Sequence, residues 1–306
     1  MSERAEIIEI DGHEVKITRP DKVLFPDEGI TKWDLVDYYR RVAPWILPHL
    51  KGRPLMLERY PDGVDGPRIV QKSASSYYPG WIKTATVKKT GGKLRQVLCQ
   101  DAATLAYLAN QASITPHIWL SRIGSPDSPD QMIFDLDPSG TDFAPVRDTA
   151  HSIREKLEEL GLPTFIKSTG SRGVHVTVPL MADLDFDTVR SFARRLAEAV
   201  AKEDPKHRTT EQRKTKRHGR VFLDTNRNAY AQTAVAPYAV RARAGAPVAI
   251  PITWRELDKR EFRPDNTTIR TIFDRIKKQD DPWKAFWRSA VSLRRAIPKL
   301  DDDRAA

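Results

Sequence analysis

The sequence predicts an α+β fold, and three observations carry that expectation. Alternating apolar residues on either side of an Asp-Gly pair near the N-terminus read as a β-hairpin, so antiparallel pairing starts early. Helical spacing then recurs along the chain between short runs rich in valine, isoleucine and phenylalanine, the mark of mixed helix and sheet. Two of those short runs, Met132-Ile133-Phe134 and Val221-Phe222-Leu223, each end in aspartate, so strands with apolar bodies deliver charge at their ends.

In chain order, Ile7-Ile8-Glu9-Ile10, Asp11-Gly12 and Val15-Lys16-Ile17 form the hairpin. Asp21-Lys22-Val23-Leu24-Phe25-Pro26 reads as a loop, after which Thr31 caps a helix whose apolar face is Leu35, Val36, Tyr39, Val42 and Ala43. Lys22 and Lys32 flank that helix start, a seat for phosphate beside free N–H groups or simply two solvated cations. Leu55-Met56-Leu57-Glu58-Arg59-Tyr60 and Ile69-Val70-Gln71-Lys72, joined by a turn rich in proline, aspartate and glycine, are two strands of one sheet. Asp101 caps a helix through Leu105, Leu108, Ala109 and Ala112, expected to end at Thr115-Pro116 before His117.

A loop over residues 124–130 leads into Met132-Ile133-Phe134-Asp135-Leu136-Asp137. Val146, Ala150, Ile153, Leu157 and Leu160 line one helix face, with Gly161 as the stop. Two strands follow, Phe165-Ile166-Lys167 and Val174-His175-Val176-Thr177-Val178, joined by Ser168-Thr169-Gly170-Ser171-Arg172-Gly173. Val189, Phe192, Leu196 and Val200 mark another helix, and residues 206–220 carry many Lys and Arg against the single acid Glu211, a basic loop. Tyr238-Ala239-Val240-Arg241-Ala242-Arg243 is expected as a strand, Ile252-Thr253-Trp254 as a strand end, and Ile269, Ile272, Phe273 and Ile276 as a helix face. Trp283, Phe286 and Trp287 are expected on a last helix packed on the body, before an acidic, frayed end.

A chain of 306 residues with 40% hydrophobic content is long enough for one large core or two modest ones. Cys99 is the only cysteine, which excludes an intrachain disulfide and a cysteine zinc cluster and points to a reducing, cytoplasmic setting. The start, Met-Ser-Glu-Arg-Ala-Glu, has no apolar signal segment, and no run is apolar enough to span a bilayer, so no membrane association is expected. A net charge of +10 and a pI near 9.6 favour a polyanionic partner, nucleic acid above all. No repeat, low-complexity tract or clear interdomain linker is visible.

Side chains alternate along a strand, so Asp135 and Asp137 share one face while Phe134 and Leu136 point into the core. Two like charges held side by side either solvate a turn before Pro138 or hold a cation. Asp224 ends a second apolar strand, and three aspartates make the oxygen-rich set that hard divalent ions prefer. Two such ions about 3.5–4 Å apart activate a hydroxyl and steady the leaving group in phosphoryl transfer. Ser168 to Gly173 supplies hydroxyls and backbone N–H groups for phosphates, and His175 with the same-face pair Arg241 and Arg243 neutralises them.

Phe134-Asp135-Leu136-Asp137-Pro138, Ser168-Thr169-Gly170-Ser171-Arg172-Gly173-Val174-His175, and Val221-Phe222-Leu223-Asp224 leading to Ala236-Pro237-Tyr238-Ala239-Val240-Arg241-Ala242-Arg243 resemble the three motifs of the primase-polymerase domain of bacterial ATP-dependent ligase D. The resemblance extends upstream through Asp21-Lys22-Val23-Leu24-Phe25-Pro26, Gly52-Arg53-Pro54 and Gln71-Lys72. It implies a single α+β domain with an RRM-like core of antiparallel sheets flanked by helices. Residues 1–120 would form an N-terminal α/β extension with 5′-phosphate and nucleotide contacts, 121–260 the catalytic core and 261–306 C-terminal helices. The resemblance implies that Asp135, Asp137 and Asp224 are the catalytic metal ligands for two ions, Mn2+ or Mg2+. It assigns nucleotide contacts to Arg59, Lys72, His117, Thr169, Ser171, His175, Arg227, Arg241 and Arg243, and grip on a DNA 5′-phosphate to Lys22 and Lys32.

The implied activity is template-directed addition of nucleoside triphosphates, ribonucleotides preferred over dNTPs, to primer ends at gapped or broken DNA with a 5′-phosphate. The implied setting is bacterial end joining or gap filling at the nucleoid. Family members often carry two phenylalanines before the Gln/Glu-Lys pair, whereas Ile69-Val70 here lack aromatic faces for base stacking. Thr169 stands where serine is usual and keeps the hydroxyl. With its length taken up by the polymerase-like region, the chain is expected to work with a separate ATP-dependent DNA ligase and an end-binding protein. Two other readings stand beside this one. An apolar strand before Asp-x-Asp also resembles the haloacid-dehalogenase aspartyl phosphatases, where the first aspartate is a covalent nucleophile. A non-catalytic nucleic-acid-binding module accounts for the charge alone.

Overall fold

The computed structural model describes residues 5–302. The first four residues of the N-terminal stretch and the frayed end expected after Asp302 lie outside them. The described chain divides into two compact units. One comprises Met1–Gly124, Thr233–Ala249 and Thr267–Arg275, and the other Ser125–Gln232, Ile250–Asn266 and Ile276–Ala306. The first boundary falls close to the expected 120, but two later segments return to the first unit.

In the first unit, Asp11 and Gly12 take left-handed backbone angles, φ 50° and 75°, and the turn they make pairs Ala5–Ile10 with His13–Thr18. Residues 21–26, expected as a loop, contain a short strand, Val23–Phe25, paired with Ile30–Thr31. Thr31 then opens helix Lys32–Leu50 with a capping box: its Oγ1 accepts from the Asp34 amide at 3.2 Å, and the Asp34 carboxylate accepts from the Thr31 amide at 2.8 Å. Leu35, Val36, Tyr39, Val42 and Ala43 are all buried, as the helical spacing predicts.

A four-stranded antiparallel sheet forms the rest of this unit's frame, in the order Thr233–Val235, Ser113–Trp119, Leu55–Arg59, Ile69–Gln71. Its second strand is a correction. The helix capped by Asp101 stops at Asn110, Ala112 turns at φ 55°, and Thr115, Pro116 and His117 lie inside a strand. The hairpin Thr84–Lys89 with Gly92–Val97 went unread, although Gly91 and Gly92, at φ 76° and 153°, mark its turn. Residues 238–243 are a second correction, for they form no strand. Tyr238 is left-handed at φ 64°, Val240 makes one bridge to Val248, and the Arg243 amide donates to the Arg241 carbonyl at 2.9 Å. Alternation therefore says nothing about which way Arg241 and Arg243 point.

The second unit is built on a six-stranded sheet ordered Arg208–Thr209, Val221–Asp224, Gln131–Asp137, Val174–Pro179, Phe165–Ser168, Pro251–Ile252. All its neighbours run antiparallel except the first pair. Helices Ala144–Glu159 and Phe186–Glu203 pack on it through Val146, Ala150, Ile153 and Leu157 and through Val189, Phe192, Leu196 and Val200. Much of the basic stretch 206–220 is tied to its own backbone. Arg217 donates to the carbonyls of Glu211 and Gln212, Arg220 to those of Arg217 and Lys216, and the Arg217 guanidinium lies 3.6 Å from the Phe222 ring centroid. The aromatic tail packs as expected but not as one helix. Trp283 stacks on Phe286 with ring centroids 4.4 Å apart and donates to the Ile166 carbonyl, and the helix comes later, at Ala296–Asp302. Among the described residues no helix is long and apolar enough to cross a membrane.

Candidate active site

Strand register in the second unit aligns the charged residues in a row across the sheet. Asp224 lies directly opposite Asp135, Asp135 opposite His175, and His175 opposite Lys167. Directly paired residues share a face, and Asp137 joins that face two residues after Asp135. Phe134 and Leu136, on the other face, are fully buried. The two aspartate-ending strands read from the sequence are thus hydrogen-bonded neighbours.

The row is electrostatically uneven. Burial opposes ionisation of Asp135, but His175 Nε2 lies 3.3 Å from its Oδ1 and Arg227 Nε 3.3 Å from its Oδ2, and together they hold its carboxyl well below the usual range. Asp137 goes the other way. Burial and then the Asp135 charge push it up to about 6, Asp224 adding to the rise and Arg172 and Arg227 offsetting only part of it. Burial and then Lys167, itself buried, bring His175 to about 4 despite Asp135 beside it, so its ring is neutral at pH 7. Its Nε2 edge serves Asp135, while its buried Nδ1 has no hydrogen-bond partner among the described residues.

These residues fit divalent cations by the chemistry of their donors. Three carboxylates on one face give hard cations the oxygen donors they prefer, and the raised Asp137 marks where added positive charge relieves repulsion. Among the described residues no three acidic or imidazole groups already close into a cage.

The loop joining the Lys167 and His175 strands approaches the carboxylates through a glycine. A β-carbon on Gly173 would fall deep inside the Leu136 carbonyl oxygen and 3.2 Å from Asp137 Oδ1. Thr169 closes this loop, its amide and hydroxyl both donating to the Gly173 carbonyl, at 3.1 and 2.9 Å. Ser171 is half-buried on the same loop.

Asn228 was missed from the sequence. Its side-chain oxygen accepts from the Ile133 amide at 2.8 Å and its amide group donates to the Ile133 carbonyl at 2.7 Å, continuing the ladder where Val221–Asp224 has ended. Residue type alone carries no signal for that role, because any asparagine after a strand has the same amide. Asn228→Ala would leave buried polar groups of Ile133 unsatisfied and is expected to cost about 2–4 kcal/mol in urea unfolding. A loss under about 1 kcal/mol would show that the clamp is dispensable.

The remaining predicted residues lie in the first unit. His117 and Arg59 belong to paired strands; Glu58 is opposite Thr115 and shares the His117 face, whereas Arg59 lies past a register irregularity and is opposite Ser113. Arg59 braces the fold there, donating to the Gln111 carbonyl at 2.9 Å and to Gln71 Oε1 at 2.8 Å. Lys72 and Arg243 are exposed and Arg241 is half-buried. Lys22 pairs with Asp62 at 3.1 Å, and Lys32 is buried, donating to the Thr18 carbonyl at 2.6 Å. Ile69 and Val70 are 46% and 44% exposed, so the aliphatic pair noted in the sequence presents an apolar edge.

A mostly antiparallel sheet carrying an aspartate trio beside a glycine-containing loop is the arrangement expected of a polymerase-type nucleotidyltransferase, and comparison with known proteins agrees. The chain belongs to the LigD primase-polymerase domain family, whose model matches residues 31–283. It is 33% identical over 270 residues to the multifunctional non-homologous end joining protein LigD of Mycolicibacterium smegmatis, covering 87% of this chain and 35% of that protein. It is 30% identical over 277 residues to the bifunctional LigD of Bacillus subtilis, covering 90% and 44%. The solved polymerase domain of Mycobacterium tuberculosis ligase D, in complex with DNA, superposes with a TM-score of 0.85 at 34% identity, covering 90% of this chain and 99% of that one. The chain spans well under half the length of these curated relatives. Membership of this family replaces the phosphatase reading.

Proposed function

We propose that this chain adds nucleoside monophosphates, ribonucleotides by preference, to primer 3′-ends at short DNA gaps or breaks that carry a 5′-phosphate. The observation that carries the reading is the register pairing of Asp135 with Asp224, which puts both, with Asp137, on one face. Two divalent ions, manganese or magnesium, bound by these three carboxylates would supply the Lewis acidity that activates the primer hydroxyl and stabilises the leaving pyrophosphate. The protein's own part is preorganisation. Arg227 and His175 keep Asp135 ionised and oriented, Asn228 holds the strand, and Thr169 closes on the Gly173 carbonyl the loop from which Ser171 would reach phosphate oxygens. His117, Arg241, Arg243 and Lys72 are assigned to the incoming nucleotide by the family motifs.

DNA as partner is supported by the bound DNA of the M. tuberculosis relative and by the net charge of +10. A separate ATP-dependent DNA ligase would seal the filled gap, with an end-binding protein delivering it, in the bacterial cytoplasm at the nucleoid. Lys22 and Lys32 are the 5′-phosphate grip in this reading, Lys22 by exchanging Asp62 for phosphate. Purified protein with manganese and ribonucleotides is expected to extend the primer of a gapped duplex. A Lys22→Ala, Lys32→Ala double variant should lose more affinity for the 5′-phosphorylated gap than for its unphosphorylated twin. No extension would sink the polymerase reading; equal losses on both duplexes would reject the grip alone.

A further inference from the structure

The His117 face of the first unit's sheet holds an acid that the function so far leaves unused. Glu58 sits opposite Thr115, so His117, two residues on, is its diagonal neighbour on the same face. Glu58 Oε1 lies 3.7 Å from His117 Nε2, within ion-pair range though too long for a hydrogen bond, and 3.2 Å from Arg68 Nη1. The Glu58 and His117 side chains are each only 12% exposed, whereas Arg68 is 56% exposed. Burial works against the Glu58 charge, yet His117, Arg241 and Arg68 outweigh it and hold the carboxyl below its usual range. One carboxylate is therefore shared by the His117 ring, which is assigned to the incoming nucleotide, and the Arg68 guanidinium.

An anion beside a polyphosphate site repels the ligand unless it does something else there. With no nucleotide bound, the cationic groups around His117 repel one another and gain rotamer freedom, both of which weaken binding. A half-buried carboxylate between them removes the repulsion and fixes the ring edge that faces it. We propose that Glu58 is a positioning residue for the incoming nucleotide, holding His117 in its binding arrangement from the strand Leu55–Arg59. This rests on the reading of His117 as a nucleotide contact. Glu58 does not itself touch the substrate, and Arg68 on the exposed side completes its charge balance.

The test is a double-mutant cycle on gapped duplex at saturating DNA, titrating ribonucleoside triphosphate. Glu58→Gln keeps the shape and removes the charge. It is expected to raise the nucleotide KM about 5- to 10-fold, with kcat within about twofold and an unchanged melting temperature. In a His117→Ala background the same change should add less than about a twofold effect. Glu58→Asp, which keeps the charge but withdraws it by one methylene, should fall between wild type and Glu58→Gln, and it carries the same test should the glutamine variant fail to fold. An unchanged KM in Glu58→Gln, an equal penalty in both backgrounds, or a loss that tracks a lowered melting temperature overturns the proposal. If His117→Ala alone keeps the wild-type KM, the nucleotide reading of His117 falls and the proposal with it; an impaired His117→Ala beside a silent Glu58→Gln overturns only the proposal.

Discussion

Asp137→Asn is expected to abolish nucleotide addition and, in the same protein, to stabilise the metal-free fold. The activity loss, on the order of 10³-fold in extension rate, follows from the proposed two-metal site, which would lose one of its three charged oxygen donors. The gain in stability follows from the like charges. Folding raises Asp137 to about 6 through burial and then Asp135, so at pH 7 its ionised form is a burden that asparagine lifts, by on the order of 1 kcal/mol. The sign is checked by pH. As pH falls through about 6 the folded wild type takes up a proton that the unfolded chain still lacks, so wild type gains stability and the advantage of asparagine shrinks, to vanish near pH 4. Chelator-treated protein followed by thermal melts between pH 4 and 8 reads this directly. Had Asp137 a purely structural role, the substitution would lower the melting temperature at every pH.

The second large effect is expected of Gly173→Ala, the smallest change that could be made in the loop. The new methyl would overlap the Leu136 carbonyl oxygen, and that oxygen belongs to strand backbone between Asp135 and Asp137, which has no flexible end to swing aside as a side chain would. The strand or the loop must shift, at about 3 kcal/mol of stability. Any shift moves Asp137, whose Oδ1 lies 3.2 Å from the same position. In the proposed two-metal site, misplacement of this carboxylate is expected to cost on the order of 10²-fold in rate even where the protein stays folded. Urea unfolding and single-turnover extension, measured on one preparation, separate the two losses. A Gly173→Ala protein of wild-type stability and rate would show that the close approach is not needed.

Much of the second unit was legible because its signals are local. Asp135 and Asp137 share a face by the two-residue period of any strand, and Gly161, left-handed at φ 76°, stops the helix before it within a few residues. The first unit was read less well, again for a physical reason. Thr115-Pro116 reads as a helix stop, yet Ser113–Trp119 is held as a strand by partners far away in sequence. The alternation across residues 238–243 suggests a strand, but a left-handed Tyr238 and a tight turn at Arg243 break it. Family motifs named Arg59 but not Glu58, because the pairing that brings Glu58 beside His117 joins strands distant in sequence.

By itself the sequence determined the composition of the site: an aspartate pair on one strand, a third aspartate on another, a glycine loop and a surplus of positive charge. Those follow from side-chain chemistry and short-range backbone periodicity. Only the tertiary structure decided that Asp224 stands opposite Asp135, that Asn228 extends the ladder at Ile133, and that Glu58 sits beside His117 while Arg59 donates to the Gln111 carbonyl. Each of these depends on the register between strands distant in sequence, and a slip of one residue would move every side chain to the other face.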